Sequence, residues 1–316
     1  MIAGRKGVDS GRSVERVIRT FLPADAPAAA ALLVARHAEH RTAQPLLAPL
    51  SHDQAEQALP VGDGFVAVEN GTVVGYLIGT SKAGAAWGPN AWVDAAGCAG
   101  SRLKELYAEA ARGWVAEGRT AHYALVPPAL APTFFELAFG VQQVHAARPI
   151  GSPAADTRIR RAERRDTAIL AQLDVHFEEH FRQAPIFSAL EPSTYDEHLA
   201  EWEQDFDEEG FEVFVAEVDG NVLGYSIGCD ISKSSGNAGL LAPERAAHLA
   251  TVSVLPQARG LGLGRALGEA VASWAAAAGY PTLCTDWRSA NLEADRAWRA
   301  LGYEPTFLRL HRHVGF

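Results

Sequence analysis

The chain has few cysteines, fewer cationic than anionic side chains and no long apolar run, and each scarcity narrows the possible function classes. Its three cysteines, Cys98, Cys229 and Cys284, show no paired spacing, so neither a disulfide framework nor a zinc site is expected. With 28 Lys and Arg against 38 Asp and Glu, the net charge is −10, which argues against a nucleic-acid binder. The run Ala26–Ala35 is too short to span a bilayer and is interrupted by Pro27. We therefore expect reduced thiols in a cytoplasmic protein that binds neither nucleic acid nor membrane.

An internal repeat defines the organisation of the 316 residues, whose length and 48% hydrophobic content already suggest two domains. Residues 66–79 match residues 215–228, and each copy reads as strand, Asn-Gly or Asp-Gly turn, and strand, which predicts a β-hairpin. The N-terminal stretch is polar and lacks the apolar centre of a signal peptide. The predicted division is a loose tail at 1–13, a first α/β domain at 14–150, a linker at 151–157 and a second α/β domain at 158–316.

A glycine-rich stretch at residues 256–267 lies between a predicted strand and a predicted helix in the second half. The strand is the β-branched run 249–254, and the helix runs from Leu263 to Gly279 with apolar residues at three- and four-residue spacing. Glycines at such a junction let a ligand approach the backbone, and the unpaired amides of a first helical turn favour an anion. The stretch therefore predicts a phosphate-binding loop, called the cradle below (residues 256–265).

The spacing of the glycines distinguishes between three known kinds of phosphate-binding loop. A Walker A loop would need Gly-Lys-Ser/Thr, which is absent, and Gly260, Gly262 and Gly264 do not fit the G-x-G-x-x-G of a dinucleotide-binding loop. Arg259-Gly260-Leu261-Gly262-Leu263-Gly264 instead resembles the R/Q-x-x-G-x-G/A loop of the GCN5-related N-acetyltransferase (GNAT) superfamily, which holds the pyrophosphate of acetyl-coenzyme A. A glycine-rich turn without a ligand is the alternative, and the order strand, loop and helix favours the ligand.

The resemblance covers roughly Thr157–Val314 and, in faded form, Val14–Ile150. It implies an α/β fold of two tandem GNAT-like domains, each a mixed, mainly antiparallel, splayed sheet flanked by helices. It also implies acetyl-CoA as co-substrate and no metal, with the pantetheine arm pairing with the backbone of Val252 and Val254 between two separating strands. The residues then expected to bind the coenzyme are Val252, Ser253, Val254, Gln257, Arg259, Gly260, Leu261, Gly262, Leu263, Gly264, Arg265, Asn291 and Arg296.

Only the second half is expected to bind the coenzyme. The corresponding segment of the first half, residues 92–102, is shorter and lacks both the alternating glycines and the arginine. The first half is therefore predicted to be a degenerate copy that covers apolar surface of the second or shapes the substrate entrance. The second half is predicted to end in a strand over Phe307–Val314, whose edge would be covered by the first half or by a second subunit.

The segment Asn291–Tyr303 resembles the N-x-x-A-x-x-x-Y-x-x-x-G-F helix of the same superfamily. The resemblance implies that Asn291 hydrogen-bonds the pantetheine, and the alternative role of Asn291 is the N-cap of a helix. Trp298 stands where the family usually carries the tyrosine that protonates the departing thiolate, and an indole N–H donates a hydrogen bond without titrating. We expect Trp298 to line the thioester channel, while the thiolate leaves unassisted or takes its proton from another group. The possible stand-ins are Tyr303, Tyr225 and Cys284.

His248 is the candidate general base, because an amine must be neutral to attack a thioester and a primary amine is mostly protonated at pH 7. Aligned on the loop, His248 occupies the place where many superfamily members carry a base, and a histidine titrates in a suitable range. Strand alternation predicts that it shares a face with Val252 and Val254. The alternative is a structural strand histidine with no catalytic role.

The acceptor is expected to be a small, cationic, amine-bearing molecule. The first helices of the second half, from Ile169 to about Asp207, are rich in acidic residues that would attract a cation, although a solvated helix face would look the same. The predicted pocket residues are Glu178, Glu179, Phe181 and Tyr225. His176, Glu179 and His180 have a helical spacing that could hold a metal, but without His-Glu-x-x-His order no metal is expected.

The predicted reaction is direct transfer of acetyl from acetyl-CoA to the amine, since no nucleophile motif such as Gly-x-Ser-x-Gly is present. The alternative class is a non-catalytic acyl-CoA-binding regulatory module, suggested by Trp298 and by the eroded first half. The expected partner is a small-molecule amine, and the chain is expected to be a monomer or a homodimer.

Overall fold

The computed structural model describes residues 15–84, 87–188, 191–237 and 239–315, and the predicted tail at 1–13 lies outside them. The strands are β1 Arg16–Thr20, β2 Asp63–Glu69, β3 Thr72–Gly79, β4 Asn90–Val93, β5 Cys98–Gly100, β6 Ala121–Val126, β7 Gly140–Pro149, β8 Ile159–Arg161, β9 Phe211–Val218, β10 Asn221–Asp230, β11 Ala246–Val254, β12 Thr282–Arg288 and β13 Glu304–His313. The helices are α1 Ala26–Ala43, α2 His52–Ala58, α3 Leu103–Ala116, α4 Ala131–Phe135, α5 Thr167–Arg182, α6 Tyr195–Asp205, α7 Leu263–Ala277 and α8 Leu292–Ala300. None of these helices is long and apolar enough to cross a membrane.

The strands form a four-stranded sheet and a nine-stranded sheet. The smaller sheet has the order β1-β2-β3-β5, and the larger has the order β4-β6-β13-β7-β12-β11-β10-β9-β8. The pairs β4–β6 and β11–β12 are parallel, whereas the other neighbouring strands run antiparallel. The predicted α/β fold with mixed, mainly antiparallel sheets in both halves is confirmed.

The predicted hairpins β2–β3 and β9–β10 are present in both halves. Asn70 and Gly71 have φ values of 49° and 80°, and Asp219 and Gly220 have φ values of 51° and 77°. Two consecutive residues with positive φ form the tight turn that matches the right-handed twist of the strands. The same dipeptide chemistry therefore builds the same turn twice.

A glycine also repeats beneath the main helix of each half. A Cβ on Gly79 would lie 2.1 Å from the ring of Trp114 on α3, and a Cβ on Gly228 would lie 3.1 Å from the ring of Trp274 on α7. Each glycine thus lets a helical tryptophan lie directly on the sheet. The contact is one that a duplicated domain would inherit in both copies.

The two halves exchange their last strands. β7 belongs to the first half but pairs with β12 and β13 of the second, and β13 of the second half pairs with β6 and β7 of the first. The final strand, predicted over Phe307–Val314 and observed over Glu304–His313, is therefore covered on both sides by strands of the first half. The pairing makes one continuous sheet across the boundary at residue 150.

Helices cover both faces of the large sheet around the cleft described below. On one face, α7 and α8 pack over β11 and β12 through a core that includes Leu249, Leu267 and Trp287. On the opposite face, α5 packs over β10 through Leu170 and Leu173. These two surfaces are called the α7 face and the α5 face.

Candidate active site

β11 and β12 run side by side for three residue pairs and then separate. The pairs are Ala246–Thr282, Ala247–Leu283 and His248–Cys284. At the point of separation the Thr285 hydroxyl donates to the carbonyl of Leu249 at 2.9 Å. Beyond that point β10 pairs with β11 on one side, and no described strand pairs with residues 249–254 on the other. This gap, called the cleft, is a free strand edge to which an extended ligand can add.

The cradle opens α7 directly after β11, as predicted. Gly260 and Gly262 have φ values of 83° and 76°, and a Cβ on either would meet no atom within 4 Å. The first helical hydrogen bond runs from the Ala266 N–H to the Gly262 carbonyl at 3.1 Å, so the amides of residues 263–265 precede the hydrogen-bonded ladder. Open space in front of unpaired amides and a helix N-terminus is suited to an anion.

Two arginines lie at the cradle. Nη1 of Arg259 lies 3.4 Å from Oε1 of Glu293, and its Nη2 lies 3.3 Å from Nδ1 of His180 at the end of α5. Arg158 donates through Nη1 to the carbonyl of Leu261 at 3.0 Å, and its Nε and Nη2 are paired with the carboxylate of Asp156 at 2.9 and 2.7 Å. Arg158 belongs to no motif and is brought to the cradle by the start of β8, so the sequence pattern did not mark it. Both guanidinium groups could exchange these contacts for a phosphate.

The other predicted coenzyme residues differ in exposure. Gln257, Leu261, Arg265 and Arg296 are exposed, Val252, Val254 and Gly264 are partly buried, and Ser253 and Leu263 are buried. The Ser253 hydroxyl donates to the carbonyl of Leu173 at 3.3 Å, so this side chain faces α5. Direct coenzyme contacts of all these residues stay predictions.

In the described part of the first half, no glycine-rich loop like the cradle leads from a strand into a helix. Only Ser101 and Arg102 connect β5 to α3, and Arg102 has a left-handed backbone with φ 61°. The guanidinium of Arg36 is buried and donates to the carbonyls of Ala95, at 2.6 Å, and Cys98. These hydrogen bonds tie α1 to the segment that runs into β5.

The alternation of β11 is broken at Ala250. The register with β10 skips this residue, which forms a β-bulge. Leu249, Val252 and Val254 all pack towards the α7 face, whereas His248 points to the α5 face. The predicted placement of His248 on the face of Val252 and Val254 is wrong, because the extra residue shifts the alternation by one.

His248 is buried in a polar cluster on the α5 face. Its Nε2 lies 3.2 Å from Nδ2 of Asn237 and 3.5 Å from Oδ1 of Asp286, and its Nδ1 is buried with no hydrogen-bond partner among the described residues. Asn237 also donates to Asp286 at 3.0 Å, and its Oδ1 lies 2.8 Å from Nδ1 of His145. Gln143 donates to the second oxygen of Asp286. Because Gln143 and His145 lie on β7, the first half supplies part of this cluster.

The cluster holds a carboxylate against His248. Burial tends to raise the pKa of Asp286, but its contact with His248, the charge of His145 and the hydrogen bond from Asn237 hold this pKa well below its usual range. Burial lowers the pKa of His145. An ionised carboxylate beside a histidine orients the ring and stabilises the imidazolium that forms when the histidine accepts a proton. No motif marks Asp286, because it lies on a different strand from His248.

The α8 helix supplies two predicted site residues. The side chain of Asn291 accepts from the Ala294 N–H at 3.1 Å and caps the helix, which is its alternative role, and a pantetheine contact stays a prediction. Trp298 is buried over Gly268, where a Cβ would lie 3.3 Å from the indole, and its ring centroid is 5.9 Å from that of Tyr303. Burial raises the pKa of Tyr303, which makes this phenol a poor proton donor.

Tyr225 of β10 is buried and hydrogen-bonds Asp174 of α5, which is partly buried. The Tyr225 hydroxyl donates to one oxygen of Asp174, and Trp202 Nε1 donates to the other at 2.6 Å. Burial raises the pKa of Asp174 despite these hydrogen bonds. The Tyr225 hydroxyl donates to Asp174 and keeps a lone pair that could accept from an acceptor amine, whereas both oxygens of Asp174 already accept internal hydrogen bonds.

The other predicted pocket residues lie along α5. Glu178 accepts from the backbone N–H of Ser193 at 2.8 Å, whereas Glu179 is largely exposed. Phe181 packs against Phe177 with ring centroids 4.5 Å apart. Their contact with an acceptor stays a prediction.

The three cysteines are free and buried. Burial raises the thiol pKa of Cys284 to about 12, that of Cys229 to about 11, and that of Cys98 above its usual value. Because the thiolate is the reactive form, these side chains are poor nucleophiles at neutral pH. Within the described ranges, no group of three His, Cys, Asp or Glu side chains could hold a metal ion.

Solved structures with this architecture include proteins described as acetyltransferases. A GCN5-related N-acetyltransferase from Sphaerobacter thermophilus is 16% identical with a TM-score of 0.55, and the match covers 94% of this chain and 95% of that one. A tandem GNAT protein from the clavulanic acid biosynthesis pathway is 17% identical with a TM-score of 0.47, covering 96% and 99% of the two chains. At these identities the first likeness shows the fold of nearly the whole chain.

Sequence comparison gives one match and one negative result. A search of curated proteins found no significant match. The family model described as the acetyltransferase (GNAT) family matches residues 173–303, which include the cleft, the cradle and α8. Residues 173–303 thus match the GNAT family of acetyltransferases, and nearly the whole chain shares the fold of a GCN5-related N-acetyltransferase.

Proposed function

We propose that the second half transfers an acetyl group from acetyl-CoA directly to the amine of a small molecule. One observation carries the proposal: the cradle begins where β11 ends, at the open end of the cleft. A ligand whose anion rests on the first turn of α7 would therefore continue along the free edge of residues 249–254. A diphosphate followed by an extended, amide-containing arm has this shape and chemistry.

In this orientation the thioester would lie towards the closed end of the cleft, near Ala250 and Thr285. The bulge removes Ala250 from the regular pairing with β10, so its backbone N–H is a candidate donor to the thioester carbonyl. Such a donor stabilises the negative charge that develops on the oxygen during attack. The Thr285–Leu249 hydrogen bond would set how deeply the ligand enters.

His248 is the proposed general base. The ammonium gives one proton to solvent, and the neutral nitrogen then attacks the thioester carbonyl, so that a C–N bond forms and the C–S bond breaks to release the coenzyme thiolate. The second proton, which leaves the nitrogen on attack, passes to Nδ1 of His248, directly or through one water, and Asp286 stabilises the resulting imidazolium. The thiolate needs no strong acid to leave, because a thiol pKa is about 8.5.

The acceptor is proposed to be a small molecule that reaches the site as an ammonium cation. The net charge of −10 and the acidic first helices of the second half favour the approach of a cation. Asp174 and Glu178, however, are engaged in internal hydrogen bonds. The protonated amine itself, rather than several positive charges, is therefore the cationic feature that the site requires.

The proposal is tested by thiol release from acetyl-CoA with a panel of small amines, together with calorimetry of CoA binding. We expect one CoA per chain, since the first half has no cradle. His248→Ala and His248→Gln should each lower turnover about tenfold or more while leaving CoA affinity unchanged, because glutamine can keep the contact with Asn237 but cannot take up the proton.

Each outcome separates a different part of the proposal. Undiminished turnover in both variants would remove His248 from the mechanism. CoA binding without thiol release for any amine would favour the alternative, a non-catalytic acyl-CoA-binding module, to which the tryptophan at position 298 points. Two CoA molecules per chain would contradict the assignment of a degenerate first half.

A further inference from the structure

Two arginines stand on the α5 face, one on each side of the strand that the first half contributes to the active site. Gln143 on β7 is the register partner of both Arg288 on β12 and Arg309 on β13, so the three residues form one row across adjacent strands. The sequence neighbours of these residues, such as Trp287 and Leu310, lie in cores on the other face, which places both arginines on the α5 face.

The row lies next to the candidate base. Asp286, which contacts His248, is two residues before Arg288 on the same strand and on the same face, about 7 Å away along the sheet. Gln143 donates to Asp286 and so links the row to the polar cluster. The backbones of Arg288 and Arg309 are two strand spacings apart, about 10 Å, and long side chains can converge over that distance.

The two guanidinium groups are partly desolvated, and no described side chain supplies them with a negative charge. Both residues are half-buried, and Nη1 of Arg288 is buried with no hydrogen-bond partner among the described residues. Burial lowers the pKa of Arg288, and burial together with the charge of Arg288 lowers that of Arg309 to about 10. The nearby carboxylate, Asp286, contacts His248 instead, and no described carboxylate forms an ion pair with either arginine.

The contacts of Arg309 leave its outer nitrogens available. Its Nε donates to Gln142 at 2.8 Å, and its guanidinium carbon lies 5.3 Å from the ring centroid of Trp87. By contrast, Arg148, which is more deeply buried, is 3.2 Å from Glu269. Two neighbouring half-buried cations without a described counter-ion cost stability, and a ligand that brings a carboxylate would relieve this cost through forked hydrogen bonds.

We propose that Arg288 and Arg309 bind a carboxylate on the acceptor, so that the acceptor is an amine that also carries a carboxylate, as an amino acid does. The inference rests on the proposed acetyl transfer and narrows its substrate class. The carboxylate is held by the arginine row, while the amine reaches towards His248 and the thioester. Both halves of the chain then determine specificity. The second half supplies Arg288 and Arg309, and β7 of the first half lies between their strands and sets the distance between them.

The test uses matched acceptors and three variants of the full-length chain. Amino acids are compared with their carboxamides and with aminoalkyl phosphates, in wild type and in Arg288→Gln, Arg309→Gln and Arg312→Gln. Arg312 is the matched control, because it lies on β13 but donates to the Leu137 carbonyl on the other face. We expect kcat/KM for amino acids to fall about tenfold or more in the first two variants, with carboxamide rates, CoA affinity and the control unchanged.

The outcomes distinguish failure of this inference from failure of the proposed function. A wild-type preference for carboxamides or for phosphates, or equal losses for all acceptors in the arginine variants, would overturn the carboxylate site while acetyl transfer stands. If no amine is acetylated, calorimetric titration of the CoA complex with N-acetylated amino acids still decides. Binding that is lost in Arg288→Gln would support the site, and absent or unaltered binding would overturn it.

Discussion

Replacing Gly260 by alanine tests the cradle with a minimal change. Gly260 has φ +83°, and a Cβ built on it meets no atom within 4 Å. The folded state would lose about 1–2 kcal/mol to left-handed backbone strain, offset by about 0.4–1 kcal/mol because alanine is less free than glycine in the unfolded chain. The protein should therefore stay folded, with a net loss of about 1 kcal/mol. The new methyl group would nevertheless stand in the space that a diphosphate needs.

Coenzyme binding should respond far more than stability. A charge-assisted hydrogen bond from a backbone amide contributes about 1.5–3 kcal/mol, so loss of one raises the CoA dissociation constant about tenfold or more. Gly118→Ala is the matched control, since Gly118 has φ +79°, no atom within 4 Å of its Cβ position, and a place after α3 in the first half. Calorimetry measures the CoA affinity of both variants, and thermal unfolding measures their stability. Equal CoA affinity in the two variants would refute the cradle as the diphosphate site.

Two further results are expected. Burial, with the charges of His37 and Arg36, lowers the pKa of His40 from 6.5 to about 4, so between these pH values the unfolded chain binds a proton that the folded chain does not. The free energy of unfolding should therefore fall by up to about 3 kcal/mol as the pH drops through this range. In urea unfolding, His40→Leu should reduce this dependence of stability on pH. An unchanged dependence in the variant would contradict the lowered pKa of His40. The buried cysteines should react with iodoacetamide only after unfolding, and acetyl transfer by the native protein should survive treatment with the reagent. Fast labelling of the native protein with loss of activity would instead indicate a thiol mechanism.

The features predicted correctly from sequence are those that depend on a few consecutive residues. The dipeptides Asn70-Gly71 and Asp219-Gly220 determine their turns by local backbone preference, and the glycines of the cradle do the same at the start of α7. The internal repeat then indicated the fold, because the same elements recur in the same order. Asn291 was weighed as ligand or helix cap, and the observed cap is compatible with either role.

The features that escaped prediction depend on long-range pairing or on one inserted residue. Strand alternation placed His248 with Val252, but the bulge at Ala250 changes no composition pattern and reverses the faces. Asp286 meets His248 only because β11 and β12 pair at their beginnings. The row of Arg288 and Arg309 exists only because β7 lies between their strands, and no local signal in the sequence specifies that partner.

The exchange of final strands has a consequence for how the protein holds together. If the first half loosens, it withdraws β7 from between β12 and β13 and thereby removes a wall of the cluster around His248. The two copies therefore share one folding equilibrium although the repeat divides them at the linker. The first half, in which no glycine-rich loop connects β5 to α3, is in this way still a structural part of the cluster around His248.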